Sequence, residues 1–287
     1  MAKAQAVSRG PAPVPIVLCA DDYGLAPGVS SAIRQLIEAG RLSATGCMAA
    51  SRFWAAEAPA LAALGERADL GLHFTLTGMA PLGPMAQLAP GGIFPGLGVL
   101  ARLAYSRALN QGEIGAELDR QIAAFAAAIG RPPDFIDGHQ HVHQLPVVRS
   151  AVLARARAHG AYLRYATEPL WAALGRGIAV ARSAAIALMG RSLAREGRRA
   201  GIPGGATFRG VRDFAPREDY ARLFPRFLSH PTRAMIVACH PGRVDEALIA
   251  ADPVTAAREG ELAYFASPRF MADLDAAGVR LARFRDC

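Results

Sequence analysis

Short apolar runs that stop at Asp or His recur along this chain, each followed by a stretch of helical periodicity. That alternation limits the fold more than any other feature. "VPIVLCADDYG" (14–24) is an apolar run ending in two carboxylates and a glycine. It reads as a strand buried on both faces, with a C-terminal end opening into a loop. "APGVSSAIRQLIEAG" (26–40) follows, with Val29, Ile33, Leu36 and Ile37 on one helical face and Gly40 as the C-cap. "LSATGCMAA" (42–50) predicts a second strand, residues 51–66 a helix, and "ADLGLHFTLT" (68–77) a third strand carrying His73.

Residues 78–111 are rich in Gly and Pro and weakly periodic, which predicts a long excursion serving as a lid or part of a cleft. The pattern then resumes. Residues 112–130 form an amphipathic helix with Ile114, Leu118, Ile122 and Phe125 on one face, and 133–142 a strand and its loop. A helix over 146–160 begins at a proline, and 161–167 is a strand. Residues 170–200 are helical and basic, 204–211 irregular, 217–230 a helix, and 233–242 a strand and loop. Helices over 254–267 and 267–278 and a strand over 279–284 complete the chain. There is no composition break and no internal repeat. The expectation is a disordered tail over 1–13 and one α/β domain over 14–287 with a mainly parallel sheet, closed or open.

Ligands of parallel α/β domains bind beyond the C-terminal ends of the strands, so the polar residues there are the candidates. They are Asp21 and Asp22, His73, then Asp137, His139, His141 and His143 in "DFIDGHQHVHQLP", and His240 in "ACHPG". Five of the seven histidines lie at strand ends; His159 and His230 fall at helix ends. Three alternate histidines fit a metal site, a pH-sensitive patch or a solvated loop. One carboxylate with two imidazoles is a common ligand set for zinc or a similar ion, leaving positions open for water and substrate. A carboxylate beside it can serve as general base. In extended backbone Asp21 and Asp22 point to opposite faces, whereas Asp137 and His139 share one, so Asp137 is expected to orient the His139 ring. Arg164 and Arg209 lie near loops and are candidates for contact with an anionic substrate group.

"CADDYGL" (19–25), "GLHFTLT" (71–77), "DGHQHVHQLP" (137–146) and "ACHPG" (238–242), in this order and spacing, resemble the signature stretches of the YdjC/ChbG/HpnK carbohydrate deacetylases. The resemblance spans roughly residues 14–284 and implies a single-domain, distorted (β/α) barrel related to NodB-like polysaccharide deacetylases. It also implies one divalent metal ion, zinc or magnesium, and removal of N-acetyl groups from amino sugars. Carried over, it makes Asp22, His73 and His139 the metal ligands, Asp21 the general base and His240 the general acid. Asp137, His141, His143 and Arg164 are left to support the ligands or touch substrate.

The expected substrate is therefore an acetylated amino sugar, oligosaccharide or glycolipid. The alternatives are another metal-dependent hydrolase, such as a phosphoesterase, and an inactive sugar-binding homologue. Two-metal phosphoesterases usually need more bridging carboxylates than these strand ends supply, and the intact Asp–His set argues against loss of activity. The formal charge of +8 comes almost wholly from arginine, since Lys3 is the only lysine. Much of the excess lies in 170–199, where Ile178, Ala181, Ala185, Leu188 and Met189 stand against Arg176, Arg182, Arg191 and Arg195. That pattern fits a barrel-covering helix with a solvated basic face, or peripheral contact with anionic membrane. No nucleic-acid role is expected, and a homodimer is compatible with the sequence. No apolar run reaches the ~18 residues of a membrane span. With four scattered cysteines and no export pattern, the expected location is the cytoplasm.

Overall fold

The computed structural model describes residues 12–215 and 218–287; most of the tail expected over 1–13 lies outside these residues. Strands and helices alternate as β1 (Val14–Tyr23), α1 (Pro27–Glu38), β2 (Ala44–Cys47), α2 (Trp54–Ala62) and β3 (Asp69–Phe74). α3 (Leu97–Tyr105), α4 (Gln111–Ile129), β4 (Phe135–Gly138), α5 (Val148–His159) and β5 (Tyr162–Leu163) follow. The second half holds α6 (Leu170–Arg176), α7 (Val180–Arg199), β6 (Phe208–Arg209), α8 (Tyr220–Phe227) and β7 (Met235–Cys239). It ends with α9 (Glu246–Ala251), α10 (Ala256–Ala266), α11 (Pro268–Ala276) and β8 (Val279–Leu281).

Every strand pair is parallel, in the order β5-β4-β3-β2-β1-β7-β6. β8 pairs with the first residues of β1; Ile16 touches both Met235 and Leu281, so β8 lies on the edge that β2 takes over further along. At the two ends of the sheet, β5 meets the segment leading into β6 through an isolated Leu163–Gly204 bridge, and Phe208 N–H of β6 donates to the Thr167 carbonyl at 2.9 Å. The result is a half-barrel with helices around it, in agreement with the expected distorted (β/α) architecture. No described helix is long and apolar enough to cross a membrane.

The period of two along a strand divides its side chains between helices and lumen. Ile16, Leu18 and Ala20 join the large core under the helices, while Val17 and Cys19 join a smaller cluster with Ala44, Phe135, Tyr162, Phe208, Ile236 and Ala238. This second cluster fills the half-barrel. Phe284 closes its lower end, stacking 4.1 Å from the Tyr162 ring. Gly71 makes the filling fit, because a Cβ there would overlap the Phe135 ring.

The excursion after β3 is not a free loop. It contains α3, and α4 pins its first half. The Asn110 side chain caps α4 on the N–H groups of Gly112 and Glu113, and Gly130 ends it at φ 84°. Its core-facing stripe includes Glu117 and Gln121 beside Ile114, Leu118, Ile122 and Phe125. Gln121 bonds Thr75 at both N–H and C=O, Glu117 accepts from Leu82 N–H, and Glu113 accepts from Gln87 and Leu88. The first half of the excursion, through Leu88, is thus stapled to α4.

Other expectations also shift. Within the strand and loop expected over 133–142, the strand ends at Gly138, and the loop coils into a 3₁₀ turn over 139–144. The "irregular" 204–211 segment supplies β6, α9 stands where no helix was expected, and the strand over 161–167 shrinks to two residues. Of the helix expected over 217–230, residue 217 lies outside the described residues and the helix runs from Tyr220. Gly71→Ala should lower stability by about 1–3 kcal/mol through overpacking against Phe135, read as a lower denaturant midpoint with unchanged slope.

Candidate active site

Continuing the strand alternation one step beyond the apolar lumen gives the site. Past Cys19, Gly71, Phe135, Tyr162 and Ala238, the next inward positions are Asp21, His73, Asp137, Arg164 and His240. All but His240 are buried, and they share one layer at the mouth of the half-barrel. Asp22 should point away by the same alternation. Its φ of 70° and the register shift between Ala20 and Tyr23 turn it back toward the mouth. Asp tolerates this left-handed conformation better than most residues do.

Asp22 Oδ1 lies 3.0 Å from His139 Nδ1 and 3.4 Å from His73 Nε2. Asp22 Oδ2 accepts a 2.7 Å bond from Arg258, which also donates to Asp252 at 2.7 Å. Burial alone would raise the Asp22 pKa, but Arg258 and His139 hold it well below the usual carboxylate range. On the far side of His73, Nδ1 sits 2.6 Å from Asp137 Oδ1. The Asp137 carboxylate accepts the proton of Nδ1, which leaves the Nε2 lone pair facing the Asp22 oxygen. Two electron-rich atoms set face to face need a cation. Asp22, His73 and His139 offer ligand atoms within 4.8 Å of one another. The charges agree: Asp21, Asp22, Asp137 and Asp252 against Arg164 and Arg258 leave two excess negative charges for a divalent ion to offset. The donor set therefore fits one metal ion.

A second group, Cys19, Asp21 and Asp137, is as close together. Its cation is already present, because Arg164 bonds both Asp21 oxygens at 2.6 and 2.7 Å and pairs with Asp137 Oδ2. Burial would raise the Asp21 pKa; the Arg164 guanidinium, with His73 and His240 nearby, more than offsets it and keeps Asp21 ionised. His240 Nε2 is 3.8 Å from Asp21 Oδ2. The backbone N–H of His240 donates to Glu261 at 2.5 Å, Arg212 holds that carboxylate at 2.6 and 3.0 Å, and the Phe214 ring packs edge-on 5.0 Å away. Burial lowers the His240 pKa from its ordinary 6.5, so the imidazole rests neutral near pH 7.

Several expectations change here. Asp137 orients His73 rather than His139, because the strand ends before residue 139. The substrate-contact reading fails for both arginines. Arg164 is 2 % exposed and consumed by Asp21 and Asp137, while Arg209 is turned outward onto the carbonyls of Phe227, Ser229 and His230. Gln140 and His141 adopt φ of 52° and 61°, so the three alternate histidines part company. His139 faces Asp22. His143 donates from Nε2 to the Arg164 carbonyl at 3.1 Å, and His141 packs on Phe208. Burial pushes His141 down to about 4 and His143 to about 3, so both are neutral. Arg258 and Glu261 escaped notice in the sequence. The signal was there: both occupy core-facing positions of α10 beside Tyr264 and Phe265, where an amphipathic helix should be apolar.

Fold and site together define a class: a parallel α/β half-barrel carrying a carboxylate–imidazole cluster at its strand ends, suited to one divalent ion. The family model for YdjC-like protein matches residues 15–276, and the chain belongs to that family. A chitooligosaccharide deacetylase of Yersinia pestis is 28% identical over 276 residues, covering 95% of this chain and 98% of the relative. One from Serratia marcescens is 36% identical over 157 residues, covering 53% of this chain and 60% of that protein. Among solved structures, an Enterococcus faecalis protein named for cellobiose-phosphate cleavage superposes with a TM-score of 0.76 at 20% identity, covering 96% and 98% of the two chains. A peptidoglycan N-acetylglucosamine deacetylase superposes with a TM-score of 0.50 at 10% identity, covering 94% and 85%. These two support the fold.

Metal content separates the histidines: His139→Ala should lose the bound ion by elemental analysis after dialysis, and His141→Ala should keep it. Arg164→Met leaves Asp21 and Asp137 buried without a cation and should cost about 3–5 kcal/mol in chemical denaturation.

Proposed function

We propose that this chain is a carbohydrate N-deacetylase, a metal-dependent hydrolase that releases acetate from an N-acetylated amino sugar, free, oligomeric or lipid-linked. The observation that carries this reading is the Asp22–His73–His139 cluster with Asp21 and His240 beside it, on a chain whose curated relatives are named chitooligosaccharide deacetylases over nearly its full length. We take residues 14–287 as one catalytic domain working in the cytoplasm. The four cysteines are free, three of them buried, which suits a reducing compartment.

Asp22, His73 and His139 would hold the ion. When bound, it supplies a Lewis acid for the acetyl carbonyl and lowers the pKa of water beside it. Zinc suits two imidazoles and a carboxylate better than magnesium does. Asp21 takes the proton of the attacking water. Arg164 keeps that carboxylate ionised and fixes both of its oxygens, so its direction does not wander. His240, facing Asp21 across 3.8 Å, rests neutral, takes up the proton that Asp21 removed from water and passes it to the departing amine, without which the C–N bond does not break. His143 secures the Arg164 backbone, Asp137 fixes the His73 tautomer, and His141 with Phe208 forms an aromatic wall.

A two-metal phosphoesterase finds less support, since the only other such cluster among the described residues is filled by Arg164. The decisive experiment is acetate and phosphate release over a panel of acetylated and phosphorylated sugars, lipid-linked ones included, with zinc-loaded protein. Acetate release is expected; phosphate release alone would overturn the reading. Asp21→Asn should abolish turnover while the ion stays bound, and His240→Ala should lose about 10²–10⁴ in kcat.

A further inference from the structure

The crossover from β5 to β6 carries a surface the active site does not use. On α6, Leu170, Trp171 and Leu174 fall on one face and are 53%, 64% and 59% exposed. α6 packs against α7, where Leu188 is 64% exposed. Beyond Leu188 the exposed face of α7 turns wholly cationic. Arg191, Arg195, Arg198 and Arg199 follow the i, i+4, i+7, i+8 spacing and, with Thr167 and Ala194, line a groove of about 380 Å³. The carboxylate of α7, Glu196, is engaged by Arg149, and Arg182 reaches Asp213. Among the described residues none of the four groove arginines has a carboxylate partner. Like charges one turn apart cost a helix a few tenths of a kcal/mol per pair, and single-sign stripes of this kind await an anion.

The occupant must accept apolar side chains and supply negative charge side by side. A second copy of the chain joined by a two-fold axis brings identical unpaired arginines toward one another. A nucleic acid supplies phosphates but leaves Leu170, Leu174 and Leu188 without a partner. A bilayer with anionic headgroups supplies both, since Trp and Leu settle at the headgroup–acyl boundary and arginines take lipid phosphates. We propose that α6 and the outer face of α7 dock on an anionic lipid bilayer, with lipid phosphate in the groove of Arg191, Arg195, Arg198 and Arg199. Thr167, in the groove wall, lies just beyond Arg164 in the chain, so docked surface and active site share the β5 edge. This proposal stands apart from the deacetylase reading.

The test is co-sedimentation of the full chain with phosphatidylcholine vesicles, alone or containing phosphatidylglycerol. Binding is expected to the anionic vesicles only and to fall as salt rises. Arg191→Gln and Arg195→Gln should each weaken it about fivefold. Trp171→Ser with Leu174→Ser should also weaken it, while circular dichroism and metal content stay unchanged. Equal binding to both vesicle types, or to neither, overturns the proposal. So does release by inorganic phosphate at ionic strengths where chloride releases nothing, which assigns the groove to a free phosphoryl ligand. A dimer that Trp171→Ser with Leu174→Ser converts to monomer makes the face a self-interface and overturns it too.

Discussion

One guanidinium organises the mouth of this half-barrel. Arg164 binds Asp21 through both oxygens and pairs with Asp137, and Asp137 in turn takes the Nδ1 proton of His73. Three buried carboxylates so close together would otherwise drive one another toward protonation. With Arg164 inside, Asp21 stays ionised and fixed in direction, and Arg258 behind Asp22 does the same there. The proposed base and one proposed ligand are thus set by the same side chain, so their geometry is coupled. A displacement of Arg164 would disturb the orientation of Asp21 and the tautomer of His73 together.

Much of the fold and half of the site could be read in the sequence, for one reason. Strand alternation fixes which residues face the lumen, and the last inward residue of each strand has no apolar layer above it. That logic found Asp21, His73, Asp137 and His240 directly, along with the alternating parallel architecture. It failed where the backbone leaves the strand. Asp22 reaches its partners through a left-handed turn, and the 3₁₀ turn after Gly138 separates His139 from His141 and His143. Partner assignment failed as well. Arg164, inside the strand expected over 161–167, looked close to a loop and open to an anionic substrate group, and Arg258 pairs with Asp22 from 236 residues away.

The two histidines left over from the alternate triplet gain distinct surroundings. His143 is buried and neutral, tied to the Arg164 carbonyl, so it steadies the guanidinium from the backbone side. His141 lies against Phe208 on the opposite lip, where β6 enters the sheet. The triplet that looked like a chelate is therefore divided among a proposed ligand position, a backbone prop and a wall.

The seam between β5 and β6, where backbone contacts at Leu163–Gly204 and Phe208–Thr167 stand in place of a strand ladder, makes the two walls unequal. Asp22, His73 and Asp137 ride on strands joined by a continuous ladder, while Arg164 and Phe208 follow or occupy strands of two residues. One wall is a chassis and the other a hem. Segment length and composition across the hem, where α6 and α7 are inserted, can change through evolution without shifting the register of the chassis. A scaffold divided this way can acquire new surroundings for its substrate while keeping one arrangement of carboxylate and imidazole.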